Sequence, residues 1–406
     1  MEIAQSQPAN LDPNRSEPKE RAERVRPMAT LFIVLFAQLI LLILVSFVVQ
    51  SGPVFVTRMK FGEDFRDFYQ AAADLRQHIP PSHGDKLTKP PASILIGAAM
   101  QWTSEDRASL IMLVANVSLV LVSLRSLARQ YKLTPSNALF LYGIALVFYP
   151  FFFLVERGNV DGIVLALLTA CFVARKPILR AALLGASIAI KVYSGLFLVV
   201  LLAKRRYKTV LVALCVALLL QLPFLHLLPS FLHTVLGRSG MWRDDENISP
   251  SVLICLLVGN IRRGCLVFCA LWAGSLIYRL AVDDSERESA AGWPEFLPWA
   301  ISFPALVYPY SGVIALPLLA KIAADCQYRP ANDAEKLIFL GIGLLGFQAV
   351  AWSDSLMSLM SASTPSGFAF QLAWAVHYIC PIGTLFLIAG ACALPRARAK
   401  VAESAI

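Results

Sequence analysis

The sequence predicts an all-α polytopic membrane protein, and three observations predict it. Of its 406 residues 57% are apolar and only 16% are charged. Mean hydropathy is +0.63, and the charges gather in short groups between apolar runs long enough to cross a bilayer. This composition excludes a soluble enzyme, a disordered chain and a nucleic-acid-binding domain. The 36 Lys and Arg against 27 Asp and Glu leave a net charge of +9. Because the basic groups sit at the ends of apolar runs, they orient the chain in a membrane rather than grip a polyanion.

Residues 1–27 are polar, rich in Pro, Glu and Arg, and lack the small-residue cleavage site of a secretory signal. They read as a disordered cytoplasmic tail, with a membrane domain over 28–394 and a second cytoplasmic tail over 395–406. Met28 to Gln50 carries no charge and is long enough to span. Comparable runs are Ser109 to Leu124, Ala138 to Val155, Asn159 to Ala174, Tyr207 to Leu228, Gly264 to Val282, Lys336 to Trp352 and Phe370 to Leu394. Four more stretches are short or broken: Pro90 to Trp102, Ala181 to Ala203 around Lys191, Pro250 to Gly259, and Phe296 to Ala320 with Pro298, Pro304 and Pro309. In all, about 10–13 transmembrane or broken helices are expected. Helices broken at membrane depth are tolerated only where protein buries them or they line a polar cavity, so the polar site is expected near these breaks.

Arg15, Lys19, Arg21, Arg24 and Arg26 hold the N-terminus in the cytoplasm. The same rule places Arg125–Arg129–Lys132, Arg175–Lys176–Arg180, Lys204–Arg205–Arg206–Lys208 and Arg396–Arg398–Lys400 inside. Both ends of Ala181 to Ala203 then face inward, which predicts a hairpin of two short helices with Lys191–Val192–Tyr193–Ser194–Gly195 at its tip. A second Tyr-Ser-Gly, Tyr310–Ser311–Gly312, lies in the proline-broken stretch; two identical tripeptides are weak grounds for a repeat, and chance explains them better. The loop over 51–89, the turn Glu156–Arg157–Gly158–Asn159 and the loop over 229–249 face the non-cytoplasmic side.

The eight cysteines lie mostly in apolar runs with no Cys-x-x-Cys pair, and read as small core residues. Five scattered histidines make no metal site; His226 and His233 read as interfacial and His377 as a core residue. Trp102, Trp242, Trp293, Trp299 and Trp352, near segment ends, suit an interfacial belt. Arg238, Arg243, Asp244, Asp245 and Glu246 form a mixed-charge loop that is either solvated or borders a phosphate or sugar site.

Apolar and aromatic residues at 61, 65, 68, 69, 72 and 75 fall near helical spacing and predict an amphipathic helix on the membrane surface. Asp64, at its start, either caps exposed N–H groups or serves as a base beside the bilayer. In the turn over 156–162, Asn159 or Asp161 caps the next helix, or Arg157 and Asp161 are ionisable groups kept near membrane depth for function. Lys191 lies ten or more residues from either basic group and cannot readily snorkel to the cytoplasmic surface. Its ammonium needs an anionic partner: Asp161 or Asp64 within the protein, or a lipid phosphate from outside.

Four motifs then follow in order: Asp64–Phe65–Arg66–Asp67–Phe68–Tyr69–Gln70–Ala71–Ala72, Lys89–Pro90–Pro91, Arg157–Gly158–Asn159, and Gly185 through Lys191–Val192–Tyr193 ahead of a basic group. This order resembles the polyprenyl-phosphate-sugar-dependent GT-C glycosyltransferases, and within them the bacterial α-1,2-mannosyltransferase-like family 87. That family carries Asp-Phe-x-x-Tyr-Tyr-x-Ala-Ala, Tyr-Pro-Pro, Gly-Gln-x-Asn or Arg-Gly-Asn, and Gly-x-x-x-Ala-x-Lys-x-Tyr-Pro. The resemblance covers Met28 to Lys208 and fades beyond. Ser194 stands where Pro is expected, Lys89 where Tyr is expected, and Tyr308–Pro309–Tyr310–Ser311–Gly312 where the family often has a His-containing segment.

The resemblance implies a GT-C-like bundle in the bacterial inner membrane, with an active site on the outer face. It implies transfer of a hexose, mannose foremost, from a polyprenyl-phosphate donor to a hydroxyl of a glycolipid or glycan acceptor, with inversion. Asp64 takes the position of the base, Lys191 and Arg157 bind the donor phosphate, and Asp67, Tyr69, Asn159, Asp161 and Tyr193 support them. No metal or other cofactor is expected; the partners are the lipid-linked donor, the acceptor and membrane lipid, with no nucleic acid. A transporter or flippase of a lipid-linked substrate is the reading from a different class, since broken helices and a buried Lys also mark transport sites. A catalytically inactive envelope protein of the same fold is the third.

Overall fold

In the computed structural model, residues 18–49, 62–78, 90–237, 249–282, 290–302, 309–347, 376 and 378–404 are described. They are helical throughout, with no strand among them. In order the helices are α1 (Pro18–Val49), α2 (Glu63–Arg76), α3 (Ile94–Ala98), α4 (Glu105–Gln130), α5 (Pro135–Val147), α6 (Tyr149–Arg157), α7 (Asp161–Val173) and α8 (Pro177–Ile190). They continue as α9 (Leu196–Ala203), α10 (Tyr207–Gln221), α11 (Leu228–Gly237), α12 (Ser251–Val258), α13 (Ile261–Val282), α14 (Leu297–Ile301), α15 (Leu316–Cys326), α16 (Asp333–Leu345) and α17 (Ile379–Ser404).

Among the described residues four helices are long and apolar enough to cross a membrane, or five if α5 and α6 count as one bent span. The sequence suggested more full crossings. The run Asn159 to Ala174 instead ends as the 13-residue α7, which reaches about 20 Å at 1.5 Å per residue. The run Ala138 to Val155 is not one straight helix. It bends by 53° between α5 and α6, where Phe148 is extended and Pro150 sits in the first turn of α6, the place where its missing N–H costs least. At the termini α1 already begins at Pro18, inside the segment expected to be a disordered tail, and α17 runs through Pro395 to Ser404 rather than stopping at the expected boundary.

Helix directions follow from a few contacts. Ser109 of α4 packs on Gly62, which lies against Gly158, and Asn116, two turns further along α4, touches Asn159 and Gly162, so α4 and α7 run side by side in the same direction. Gly185 of α8 packs on Ala213 and Val216 of α10, and the Gln221 amide reaches the Ala189 carbonyl at 3.0 Å. The helices α8 and α10 are therefore parallel, and α9, which ends just before α10 begins, must run back between them. This is the predicted hairpin, with Lys191 at its tip. The basic groups around Arg129, Lys176 and Arg205 thus share one end of the bundle, opposite the end that holds Asp64 and Lys191. The same Gln221 side chain accepts the Ala92 N–H at 2.9 Å, tying the Pro90–Pro91 turn to the hairpin.

The amphipathic segment forms α2, but its apolar face does not lie against lipid. Phe65, Phe68, Ala71 and Ala72 are buried, against Ala108, Met112 and Val160 on one side and Ala92 and Ile94 on the other. Packing inside the protein removes this surface from water without help from a bilayer. Trp102 is exposed, as a belt residue would be, whereas Trp293 and Trp299 are buried. Trp293 stacks on Phe197 at 5.9 Å and the Trp299 indole donates to the Ser275 hydroxyl at 2.9 Å. Trp242, Trp352, His377, Lys89, Tyr308 and the loop holding Arg238, Arg243, Asp244, Asp245 and Glu246 lie outside the described residues. All eight cysteines are thiols, and those of Cys255 and Cys265 approach to 3.6 Å between α12 and α13.

Candidate active site

The site is built on two left-handed glycines. Gly62 precedes α2 with φ 72° and Gly158 follows α6 with φ 63°, backbone that side-chain-bearing residues adopt only with strain. They are packed together: the Gly62 N–H donates to the Glu156 carbonyl at 2.8 Å. A Cβ on Gly158 would lie 3.0 Å from Phe65 Cβ and 3.3 Å from Gly62 Cα. This contact brings the start of α2 against the end of α6, joining residues some ninety positions apart.

Asp64 is thereby buried, 5% exposed. It does not cap α2, because Gly62 holds the cap position without a side-chain bond. Its Oδ1 instead accepts from Arg157 Nη2 at 2.8 Å and Nε at 3.1 Å, and its Oδ2 accepts from Asn159 Nδ2. Arg157 Nη1 also donates to Glu63 Oε2 at 3.1 Å, so one guanidinium serves two carboxylates. Asn159 is held from behind by Asn116 Nδ2, which donates to its carbonyl at 2.9 Å. Like Asp64, Asn159 and Asp161 make no cap: Val160 is the N-cap of α7 and no side chain bonds its free N–H groups.

Asp161 starts α7, fully buried, and centres a second group. Lys191 Nζ lies 3.2 Å from its Oδ2, the Tyr193 hydroxyl donates to its Oδ1, and Ser311 Oγ approaches Oδ2 at 3.4 Å. Tyr193 also lies beneath the ammonium, with Lys191 Nζ 5.9 Å from its ring centroid. Ser194 turns the other way and meets Ser187 at 2.7 Å. The internal anion that Lys191 requires is thus Asp161 rather than Asp64.

Of the residues singled out from sequence, Asp64, Arg157 and Asn159 converge on one carboxylate, and Asp161, Lys191 and Tyr193 on a second. The turn from Arg157 to Asp161 belongs to both. Asp67 lies one turn along α2, half-buried. Tyr69 is spent elsewhere, its hydroxyl donating to the Thr103 carbonyl at 2.6 Å. Glu63, Asn116 and Ser311 were not singled out. Glu63 was legible beside Asp64, Asn116 was a lone amide in an apolar run, and Ser311 carried the only long-range signal, its repeated tripeptide.

Chemically, the first group sets a buried carboxylate against a guanidinium and an amide. The second holds an ammonium pinned at a helix break. No group of three or more His, Cys, Asp and Glu with metal-binding geometry occurs among the described residues.

Comparison with known proteins bears on this arrangement. The sequence profile of glycosyltransferase family 87 matches residues 88–293, more than half of the chain, including the Arg157 turn and the Lys191 hairpin. Asp64 precedes the matched range. No curated protein matches the chain. Among solved structures, ArnT from Cupriavidus metallidurans in the apo state is similar at 15% identity, covering 89% of this chain and 78% of that one, with a TM-score of 0.38. That likeness is too slight to decide anything. The profile match, on a helical membrane chain, shows that this protein belongs to glycosyltransferase family 87.

Proposed function

We propose that the protein transfers a hexose, mannose foremost, from a polyprenyl-phosphate sugar to a hydroxyl of a glycolipid or glycan, with inversion at C1. The observation that carries this reading is the buried Asp64 carboxylate held by Arg157 and Asn159, one turn from the Asp161–Lys191 pair. In a single displacement the acceptor oxygen bonds to C1 while its proton passes to Asp64. The bond from C1 to the phosphate oxygen breaks, and its electron pair leaves with the polyprenyl phosphate. Attack opposite the leaving group inverts C1. Arg157 and Lys191 meet the charge gathering on the phosphate, in a site dry enough for preorganised cations to count. Asn159 aims the Asp64 carboxylate, and Tyr193 and Asp161 aim Lys191. Asp67 is the second carboxylate of α2 and the alternative base. The reading assigns the phosphate charge to side-chain cations and calls for no metal. It also places the site on the outer face of a bacterial inner membrane, where the basic end of the bundle would face the cytoplasm.

The test is transfer from polyprenyl-phosphate mannose in proteoliposomes. Asp64→Ala is expected to abolish product while the protein stays folded. Undiminished transfer would overturn the assignment of the base and move it to Asp67. Sugar-independent movement of the lipid across the bilayer, with no product formed, would favour the flippase reading.

A further inference from the structure

The two Tyr-Ser-Gly tripeptides meet at one carboxylate. The first, at the α8–α9 tip, offers Tyr193 to Asp161, and the second, in the turn Pro309–Ala315, offers Ser311. They arrive from positions 150 residues apart in the case of Ser311. A carboxylate wholly removed from water needs donors on its lone pairs, and one ammonium cannot fill them.

The two deliveries differ in stiffness. Ser311 is 3% exposed and is followed by Val313, Ile314, Ala315 and Leu316, all fully buried. Gly312 lies against Pro150, so the turn is braced on α6, the helix that ends in Arg157. Lys191, by contrast, has extended backbone between two helices and a side chain still 12% exposed. Asp161 is therefore fixed from the side of the bundle and reaches toward the hairpin tip.

We infer that Ser311 is a positioning residue: with Tyr193 it fixes the Asp161 carboxylate that sets Lys191 for the donor phosphate. The inference rests on the proposed phosphate-binding role of Lys191. While the phosphate draws on the ammonium, the two hydroxyls keep Asp161 solvated and in place, so that Lys191 is shared between two anions instead of being pulled from its site.

The experiment is a double-mutant cycle on binding of undecaprenyl monophosphate to the full chain in lipid nanodiscs, with unfolding temperatures recorded for each ligand-free variant. Lys191→Met is expected to weaken binding at least about 30-fold. Ser311→Ala should weaken it about 3- to 10-fold, the range of one lost hydrogen bond. In the Lys191→Met background Ser311→Ala should cause no further loss, because its effect passes through the ammonium. Tyr193→Phe supplies a second probe, with a larger loss that also vanishes in that background. Equal losses in both backgrounds, or no loss from either hydroxyl variant alone, would make Ser311 structural and overturn the inference while the role of Lys191 stands. Unchanged affinity in Lys191→Met would overturn that role and this inference with it.

Discussion

Two buried ion pairs at opposite ends of the bundle differ in how the cation is held, and the difference separates the proposed site from a brace. At one end Arg157 is shared between Asp64 and Glu63, with Glu63 44% exposed, and Asn159 completes the group. At the other, Arg279 Nη2 meets Glu295 Oε2 at 2.7 Å with both side chains 3% exposed. Phe296 covers the guanidinium, its ring centroid 5.0 Å away. The neighbouring Arg180, in α8, lies over Trp293 at 5.7 Å, about 17 Å along the helix from Lys191. Both members of the Arg279 pair are sealed from solvent. The Arg157 pair has a second carboxylate to fall back on and one edge in contact with solvent. A cation with two anions can let go of one, which a site that receives a phosphate requires.

That contrast can be broken or sharpened by substitution. The largest effect is expected from Asp64→Asn, which keeps the volume and the Arg157–Glu63 contact but removes the base; turnover in proteoliposomes should fall about 10²- to 10⁴-fold with little change in unfolding temperature. If stability collapsed instead, the pair would be a brace like the other. Glu295→Gln takes a carboxylate away from the buried Arg279 guanidinium and should destabilise by about 3–5 kcal/mol, read as a fall in unfolding temperature. Replacing both partners with Met and Leu should recover most of the loss, and transfer per folded molecule should hardly change. Gly158→Ala forces a Cβ into left-handed backbone against Phe65 and Gly62, at about 1–2 kcal/mol. It should lower turnover as well, since Arg157 and Asn159 flank it. The smallest effect is expected from Glu63→Gln, a half-exposed partner worth under about 1 kcal/mol. A large loss there would show that Arg157 needs both carboxylates.

Much of the site was legible in the sequence because a charge inside an apolar segment must be explained. Arg157, Asp161 and Lys191 stood out for that reason, Asp64 for its place at the start of an amphipathic stretch, and the hairpin around Lys191 followed from basic residues at both ends. The competing readings could not be separated there. Whether Asp64 caps a helix or faces a cation depends on Gly62 and Gly158 meeting, a contact between distant segments. Ser311 and Asn116 are ordinary polar residues until the fold brings them to Asp161 and Asn159. The bend at Phe148 was hidden because hydropathy measures how apolar a run is and says nothing of its straightness. Trp293 and Trp299 were misplaced for a related reason: nearness to a segment end along the chain does not tell which side of the helix faces lipid. The α2 surface was read as amphipathic correctly, but its covering by Ala108, Met112 and Val160 is a tertiary fact.

The Gln221 amide joins the Ala92 N–H to the Ala189 carbonyl, and this makes two distant stretches of the chain hostages of one another. Each bond uses backbone at 92 and 189, so of the side-chain changes at these two positions only proline at 92, which removes the N–H, takes away a bonding group. A shift of the Pro90–Pro91 turn, whether from a bound lipid chain or from drift in the sequence around it, is passed through one rigid planar group to the residues just before Lys191. The turn and the lysine are thereby compelled to vary together or not at all.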